Sequence, residues 1–529
     1  MENIIAATFR QANAQLFYGW SSAPNWAETV LILPFSDTNI SMWTVVVAIL
    51  VILVIICIKA SIRPSNFPPG PPCFAFAGSF PYLDVRNLTK SFQNLSQKYG
   101  DIFSIFVGRT PVVVLNSFPL IKEAFARAEF VGRPGNFSGT FFQKGKTGIT
   151  TTEGKHWKIQ REFLASHLLS LTSGKGYKGF EEVILDEVAD LKMDLGKRKN
   201  EPVAVSYKLN VAIMNILWNL SCGRKLHAQQ QEFQTVVECI DKVTQFMSRA
   251  AIFSFMPILT KVLPESVTNI ERGRYYRNRF HEISEKWIRE HRQDYRGNRT
   301  GDLQDAYLEK VNQGEDTFTE QGLAAILREL FVIGSESESV MMRWAIRIIS
   351  CNQEIQVKVQ SELDTVCGKG VDVTWDKKLS LPYTMAVMKE IQRFADIAPT
   401  GLLHKTVCDT QLAGYNLPAN TLVMANYSAC HRSADFWADP DTFNPEHFLQ
   451  EGKLINDKEG FLPYGTGPRV CPGAELADMQ LFLMLSNILA TFTLSLPEGD
   501  LGEMGTQFEA GTAVLRNPKP YRVIFKVRE

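Results

Sequence analysis

Residues 461–483 read FLPYGTGPRVCPGAELADMQLFL and place one cysteine, Cys471, in a glycine-rich loop. Gly467 and Gly473 flank the cysteine, and glycine lets the backbone approach the sulfur and its ligand closely. The periodic apolar run that follows predicts a helix, and Pro472 suits the first turn of that helix. Backbone N–H groups at a helix N-terminus stabilise a thiolate. The loop therefore predicts an ionised cysteine held against a flat, apolar ligand.

The chemistry of this loop suits an iron porphyrin, because a cysteine thiolate is one of the proximal ligands of haem iron. Arg469, two residues upstream, is placed to reach a haem propionate; a buried structural cysteine is the alternative interpretation of Cys471. The stretch resembles the haem-binding signature F-x-x-G-x-R-x-C-x-G of the cytochrome P-450 superfamily. Gly467, Arg469, Cys471 and Gly473 match it, and Tyr464 stands where Phe is usual. The resemblance implies haem b (iron protoporphyrin IX), with Cys471 as the metal ligand.

A second motif precedes the loop. Glu390 and Arg393 lie at i and i+3, on one face of a predicted helix. Alone, this spacing is common in surface ion pairs. In the superfamily, however, a similar Glu-Arg pair is locked by a third residue, which corresponds here to His447, where Arg is commoner. The resemblance implies a structural ion-pair core on the haem side.

Two further stretches resemble contacts to the haem propionates. Trp157 and Arg161 lie at i and i+4, so both side chains share a helix face, and both are hydrogen-bond donors. They are similar to the W-x-x-x-R motif of the superfamily. His404 aligns with another propionate contact. The alternatives are a core tryptophan and an ordinary loop histidine.

Gly334, Glu336 and Ser337 resemble the oxygen-activating helix motif A/G-G-x-D/E-T-T/S. Gly334 has no Cβ and can leave room beside a distal ligand. Glu336 and Ser337 supply the acid and the hydroxyl of a relay that delivers protons to dioxygen, with Ser where Thr is standard. Two further positions depart from the motif, Ile333 and Glu338. A solvated Ser/Glu helix face is the alternative.

The segment 42–58 carries no charge and is followed by Lys59 and Arg63. This pattern predicts one transmembrane helix, with the following chain in the cytosol and the anchor in the endoplasmic reticulum membrane. A buried core helix is the alternative. The sequence therefore divides into a lumenal segment 1–41, a transmembrane anchor 42–58, a basic and proline-rich hinge 59–72 and a haem-thiolate catalytic domain 73–529.

The remaining sequence indicates a mainly helical fold with small β-sheets. Helical periodicity covers most of 155–395, Ile102–Val107 and Val112–Leu115 predict a hairpin, and short strand-like runs lie near 404–425 and 512–527. The resemblance implies the triangular helical prism of the superfamily. Lys+Arg and Asp+Glu balance at 56 each, so the overall charge does not favour nucleic acid.

The resemblance is closest to microsomal members of the clan that holds vertebrate drug-metabolising and arthropod hormone-processing enzymes. It implies a monooxygenase that inserts one oxygen atom of O₂ into a lipophilic steroid, terpenoid hormone, fatty acid or xenobiotic. Electrons would come from NADPH through the membrane flavoprotein NADPH-cytochrome P-450 reductase, with cytochrome b5 as a second candidate partner. A haem-thiolate isomerase or dehydratase, and a non-catalytic haem-binding membrane protein, are the alternatives.

The resemblance also suggests where partners bind. Apolar stretches predicted to line the pocket are 137–142, 246–255, 331–337, 398–403 and 511–514. A cationic patch for the reductase is predicted at Lys144, Lys146, Lys155 and Lys158, and an ordinary solvated surface explains these lysines almost as well.

Overall fold

The computed structural model of the chain describes residues 41–61, 63–74, 77–84, 87–135, 147–173, 177–198, 200–223, 231–250, 253, 259–294, 302–497 and 515–529. The chain divides into two compact units, Met1–Ile62 and Arg63–Glu529. Several predictions lie outside the described residues: the lumenal segment up to residue 40, the pocket stretches 137–142 and 511–514, most of 251–255, and Lys144 and Lys146.

Helices dominate the described chain. In order they are α1 Met42–Ser61, α2 Leu88–Tyr99, α3 Phe118–Ala126, α4 Gly154–Thr172, α5 Tyr177–Gly196, α6 Ser206–Cys222, α7 Gln231–Ala250, α8 Leu259–Val262, α9 Glu265–Thr268, α10 Ile270–Asp294, α11 Leu303–Asn312, α12 Glu320–Glu329, α13 Ser335–Cys351, α14 Gln353–Cys367, α15 Pro382–Ala395, α16 Tyr427–His431 and α17 Ala474–Thr491. A π-helical turn, Leu330–Gly334, joins α12 to α13.

The strands form small sheets. They are β1 Ile102–Val107, β2 Thr110–Leu115, β3 His404–Lys405, β4 Thr410–Leu412, β5 Tyr415–Leu417, β6 Leu422–Ala425, β7 Leu449–Gln450, β8 Lys453–Leu454, β9 Phe492–Ser495 and β10 Ile524–Val527. One sheet has the order β1-β2-β6-β3, in which β2 and β6 are parallel, and the other sheets are antiparallel pairs. The predicted mainly helical fold with small sheets and the predicted hairpin of β1 and β2 are confirmed.

The main core lies around α13 and α17. Most side chains of α17 are buried, which agrees with a sequence that is apolar on nearly every face. Helices α6, α15 and α17 all pack against α13. The helix that follows the cysteine and the helix that carries Ser337 are therefore parts of one packed interior.

The proline-rich segment after the first unit is tied to the first strand. Ser104 N donates to Pro69 O at 2.7 Å, and Ser104 Oγ donates to Pro68 O at 2.7 Å. Arg63 donates to Pro71 O at 2.6 Å and to Ser104 Oγ at 2.9 Å. Prolines cannot continue a helix, so this segment runs extended and is held by β1.

Helix α1 contains the whole predicted anchor, 42–58, and continues to Ser61. We find no helix in the described ranges whose length and hydrophobicity would let it cross a bilayer. The transmembrane anchor stays a prediction.

Candidate haem-thiolate site

Hydrogen bonds within the loop fix the position of Cys471. Cys471 N donates to Tyr464 O at 3.0 Å, and the backbone N–H of Gly473 bonds the cysteine sulfur. Gly467 has a φ of 76°, and a Cβ there would overlap the carbonyl oxygen of Phe125, so only glycine fits. Helix α17 begins at Ala474, and Pro472 lies in the preceding turn. The prediction that this proline occupies the first helical turn is therefore wrong.

The Cys471 side chain is accessible to solvent although protein atoms crowd around it. Burial among these atoms raises the pKa of its thiol. The Gly473 hydrogen bond and the charge of Arg161 act in the opposite direction on this pKa and favour the thiolate.

Arginines from separate segments surround the cysteine. Arg161 Nη2 donates to Val470 O, next to Cys471, at 2.5 Å. The Arg469 guanidinium donates to the carbonyls of Val131, Ile149 and Thr152 at 2.9, 3.0 and 2.6 Å. It also stacks on Trp157, 3.7 Å from the ring centroid. The structure thus brings Trp157, Arg161 and Arg469 together, as the two sequence motifs predicted.

Arg133 belongs to the same group of arginines, and the sequence reasoning missed it. Its Nη1 donates to Leu402 O at 3.2 Å and to Leu403 O at 2.7 Å, and its Nε has no hydrogen-bond partner among the described residues. The only sequence signal is the run Gly132-Arg133-Pro134-Gly135, which has no periodicity or spacing that indicates a ligand.

His404 sits on β3 beside these arginines. Its Nδ1 lies 2.8 Å from Phe130 O, and its ring stacks on Phe125 at 3.7 Å. Burial, followed by the charges of Arg133 and Arg469, holds the pKa of His404 well below its usual value. In the neutral ring, Nδ1 carries the proton and donates to the Phe130 carbonyl, so Nε2 has no proton to donate. Nε2 could donate to a propionate only if a nearby anion raised the pKa enough for the ring to take up a second proton.

Arg133 is buried and Arg161 and Arg469 are half-buried, and the three arginines fit an anionic cofactor. Burial lowers the pKa of Arg469 to about 8, with repulsion from Arg133 and Arg161 as the next causes. Burial also lowers the pKa of Arg133 to about 10. Within the described chain, none of the three forms an ion pair with a carboxylate. Buried cations are costly unless they are paired, and the two propionates of a haem would supply the missing negative charge.

The regular α-helical hydrogen bonding is interrupted just before α13, at the motif predicted around Gly334. We call α13 the distal helix. The π-helical turn ends at Gly334, and such turns occur often at functional sites. A Cβ on Gly334 would meet only Leu217 and Leu330, at 3.7 and 3.8 Å, so this glycine is not required by protein packing.

The polar residues of the motif make separate contacts. Ser337 Oγ donates to Gly334 O at 3.3 Å. Glu336 Oε1 pairs with Arg343 at 3.3 Å, and both side chains are 16% exposed. Glu336 is therefore within reach of solvent, as a proton source for a relay has to be.

The predicted ion-pair core is completely buried. Arg393 forms two hydrogen bonds with Glu390, at 2.7 and 2.8 Å, and both side chains are 0% exposed. His447 Nδ1 lies 3.1 Å from Glu390 Oε1. Arg393 also donates to the carbonyls of His431, Pro440 and Thr442. The structure joins the three residues that the motif predicted and ties α15 to the loop before Cys471.

Comparison with known proteins agrees with this geometry. The family model described as cytochrome P450 matches residues 68–525. Cytochrome P450 2J5 of Mus musculus is 32% identical over 489 residues, which cover 91% of this chain and 95% of that protein. Cytochrome P450 2L1 of Panulirus argus is 32% identical over 478 residues, 88% of this chain and 96% of that protein. Cytochrome P450 2J2 of Homo sapiens is 32% identical over 464 residues, which cover 85% of this chain and 90% of that protein.

Proposed function

This chain belongs to the cytochrome P450 family, and we propose that Cys471 ligates the iron of its haem while Glu336 and Ser337 deliver protons on the opposite face. The superfamily predicted from the Cys471 loop is thus confirmed, with its enzyme class, P450 monooxygenase, and its cofactor, haem b. When bound, the haem supplies oxygen activation, and a thiolate ligand favours O–O cleavage. The observation that carries the site assignment is the position of Cys471 beside Arg161 and Arg469, neither of which forms an ion pair with a carboxylate among the described residues.

The protein residues would hold the cofactor and control protons. Arg133, Arg161 and Arg469 would pair with the propionates, since these cations lack carboxylate partners among the described residues. Trp157 would keep the Arg469 guanidinium in place by stacking. On the distal side, the Ser337 hydroxyl would pass protons inward from Glu336, which solvent can reach.

The substrate is proposed to be a lipophilic small molecule, such as a steroid, terpenoid, fatty acid or xenobiotic. Leu217 and Leu330 face the space beside Gly334, and Phe331 is buried next to it. Apolar walls with few polar groups favour apolar ligands. Electrons are proposed to come from NADPH through a membrane flavoprotein reductase.

Reconstitution tests this function. We would combine the purified full chain, reductase, lipid vesicles and NADPH, and screen lipophilic compounds under ¹⁸O₂. The expected result is substrate-stimulated NADPH oxidation and a product that carries one labelled oxygen. Turnover without NADPH would instead support the isomerase, and haem binding without any substrate-stimulated NADPH oxidation would support the non-catalytic alternative. Either outcome would contradict the proposal.

The reductase is proposed to dock near Lys155 and Lys158. Both are exposed on α4, the helix whose Trp157 and Arg161 lie near Cys471. A cationic surface there would attract an acidic face of the reductase. Reversal of both charges to Glu should slow reduction and leave haem content unchanged. The matched control reverses Lys90 and Lys98, two exposed lysines of α2. Equal rates in both double variants would contradict this docking site.

We also propose that 42–58 anchors the protein in the endoplasmic reticulum membrane. The segment is free of charge, and exposed apolar side chains run along α1 from Trp43 to Ile55. Such a patch indicates a partner or a membrane. The full chain should resist extraction from microsomes by alkaline carbonate, and a chain that begins at Lys59 should be released. Release of the full chain would contradict the anchor.

A further inference from the structure

A cluster of polar side chains lies next to the Cys471 loop. We propose that Tyr464, Asp478 and Gln392 form a positioning network that fixes the Cys471 loop and places negative charge near its sulfur. This inference rests on the proposal that Cys471 ligates the haem iron.

The hydrogen bonds of the network converge on one carboxylate. Tyr464 OH donates to Asp478 Oδ1 at 2.6 Å. Gln392 Nε2 donates to Asp478 Oδ1 and to Tyr464 OH, both at 2.8 Å. Gln392 belongs to α15 and Asp478 to α17, so the network ties two core helices to the loop. Two donors that point at one carboxylate favour its charged form.

Tyr464 connects this network to the cysteine. Its hydroxyl bonds Asp478, and its carbonyl oxygen accepts the Cys471 N–H at 3.0 Å. A shift of the ring would therefore move the backbone that carries the sulfur. Burial raises the pKa of the Asp478 carboxyl, whereas Tyr464, Gln392, Lys389 and Lys378 lower it.

Glu338 is a second buried acid that acts electrostatically on Asp478. It comes from α13, is 5% exposed, and its Oε1 has no hydrogen-bond partner among the described residues. Burial raises its pKa to about 8, and the charge of Asp478 is the second cause. Glu338 therefore favours its protonated form at neutral pH, whereas the hydrogen bonds from Tyr464 and Gln392 favour the charged form of Asp478.

Two departures from the superfamily motifs meet in this cluster. Tyr464 stands where Phe is usual, and Glu338 stands where Thr or Ser is usual. Both act electrostatically on Asp478, and Asp478 and Glu338 both act on the Cys471 thiol. A Phe at 464 would leave the buried carboxylate one donor short. Tyr464 is thereby explained as a donor to the Asp478 carboxylate.

A negative charge near the iron opposes the addition of an electron, so the network should lower the reduction potential of the bound haem. The test uses the haem-loaded full chain with Tyr464→Phe, Asp478→Asn and the double variant. Asp478→Asn should raise the potential, and the exposed control Asp457→Asn should leave it unchanged. Glu338→Gln should also leave it unchanged at neutral pH, because Glu338 is protonated.

Haem transfer to apomyoglobin gives the second measurement. Tyr464→Phe should speed transfer by about tenfold, since a hydrogen bond to a buried charge is lost. In the Asp478→Asn background the same change should have a smaller effect, because the acceptor of the tyrosine hydrogen bond is no longer charged. If Asp478→Asn does not fold, Gln392→Met replaces it, since it removes the second donor to Asp478, and non-additive effects of Tyr464→Phe and Gln392→Met are then expected.

The two possible failures are distinguishable. If the wild-type protein lacks the spectrum of a thiolate-ligated haem, the assignment of Cys471 fails. If the wild type has that spectrum but Asp478→Asn leaves the potential unchanged, or the effects on haem transfer are additive, the network proposal is overturned.

Discussion

The Cys471 loop and the distal helix are positioned in different ways. The loop is held by backbone hydrogen bonds, by a glycine that no other residue can replace, and by side chains from α4, α15 and α17. Helix α13 instead follows a π-helical turn at Leu330–Gly334, where a Cβ on Gly334 would make only ordinary contacts. The comparison teaches that the backbone is strictly fixed at the proposed metal ligand and less constrained at the proposed oxygen-activating segment.

The largest effect is expected from the ion-pair core that supports the loop. Arg393→Ala should cost about 3–5 kcal/mol in the free energy of unfolding, because Glu390 would remain buried without its partner. Arg274→Ala is the matched control, since Arg274 and Glu271 have the same i,i+3 spacing but are exposed. Chemical denaturation measures both. Similar losses in the two variants would contradict the assignment of Arg393 to the structural core.

The second effect concerns the arginines of the loop. Arg469→Leu should abolish stable haem binding, because it removes a propionate partner and the bonds to three carbonyls. Arg469→Lys keeps the charge but not the planar fork, so it should bind haem more weakly than wild type. The haem-to-protein absorbance ratio measures this. The exposed control Arg109→Leu should keep full haem occupancy. Full occupancy in Arg469→Leu as well would show that Arg469 does not hold the haem.

A smaller effect is expected on the distal helix. Ser337→Ala should retain haem, while product formation falls by about tenfold or more and NADPH consumption yields peroxide. Ser337→Thr keeps the hydroxyl and stiffens χ1, so coupling should be kept. Product and peroxide per NADPH are the quantities to measure. Unchanged coupling in Ser337→Ala would exclude this hydroxyl from the relay.

A further effect is a pH dependence at Glu338. Its pKa is about 8 in the folded protein and near 4.5 in the unfolded chain, so the folded state binds the extra proton between these values. The free energy of unfolding should therefore fall as the pH rises from 5 to 8. Glu338→Gln should flatten this slope, and the exposed Glu354→Gln should not. Parallel pH profiles of Glu338→Gln and wild type would show that Glu338 titrates normally.

The sequence predicted those parts of the fold and site that local spacing determines. Glu390 and Arg393 share a helix face, as do Trp157 and Arg161, and β1 and β2 pair as a hairpin around Gly108. These relations depend on helical or strand periodicity, so they can be inferred without the tertiary structure.

Contacts between distant segments could not be predicted in this way. Arg133 reaches the site only because its strand-edge loop packs against Leu402 and Leu403. Asp478 is an ordinary helical residue until the fold brings Tyr464 and Gln392 to it. The π-helical turn before Ser335 has no sequence pattern, since it differs from an α-helix by one hydrogen-bond register.

The central claim is that the sulfur of Cys471 is ionised and bound to iron. The most direct measurement is the reduced carbon monoxide difference spectrum of the purified full chain and of Cys471→Ser. We expect the wild type to show the red-shifted Soret band of a thiolate-ligated carbonyl and Cys471→Ser to lack it. A wild type without porphyrin, or a serine variant that keeps the full band, would contradict the account.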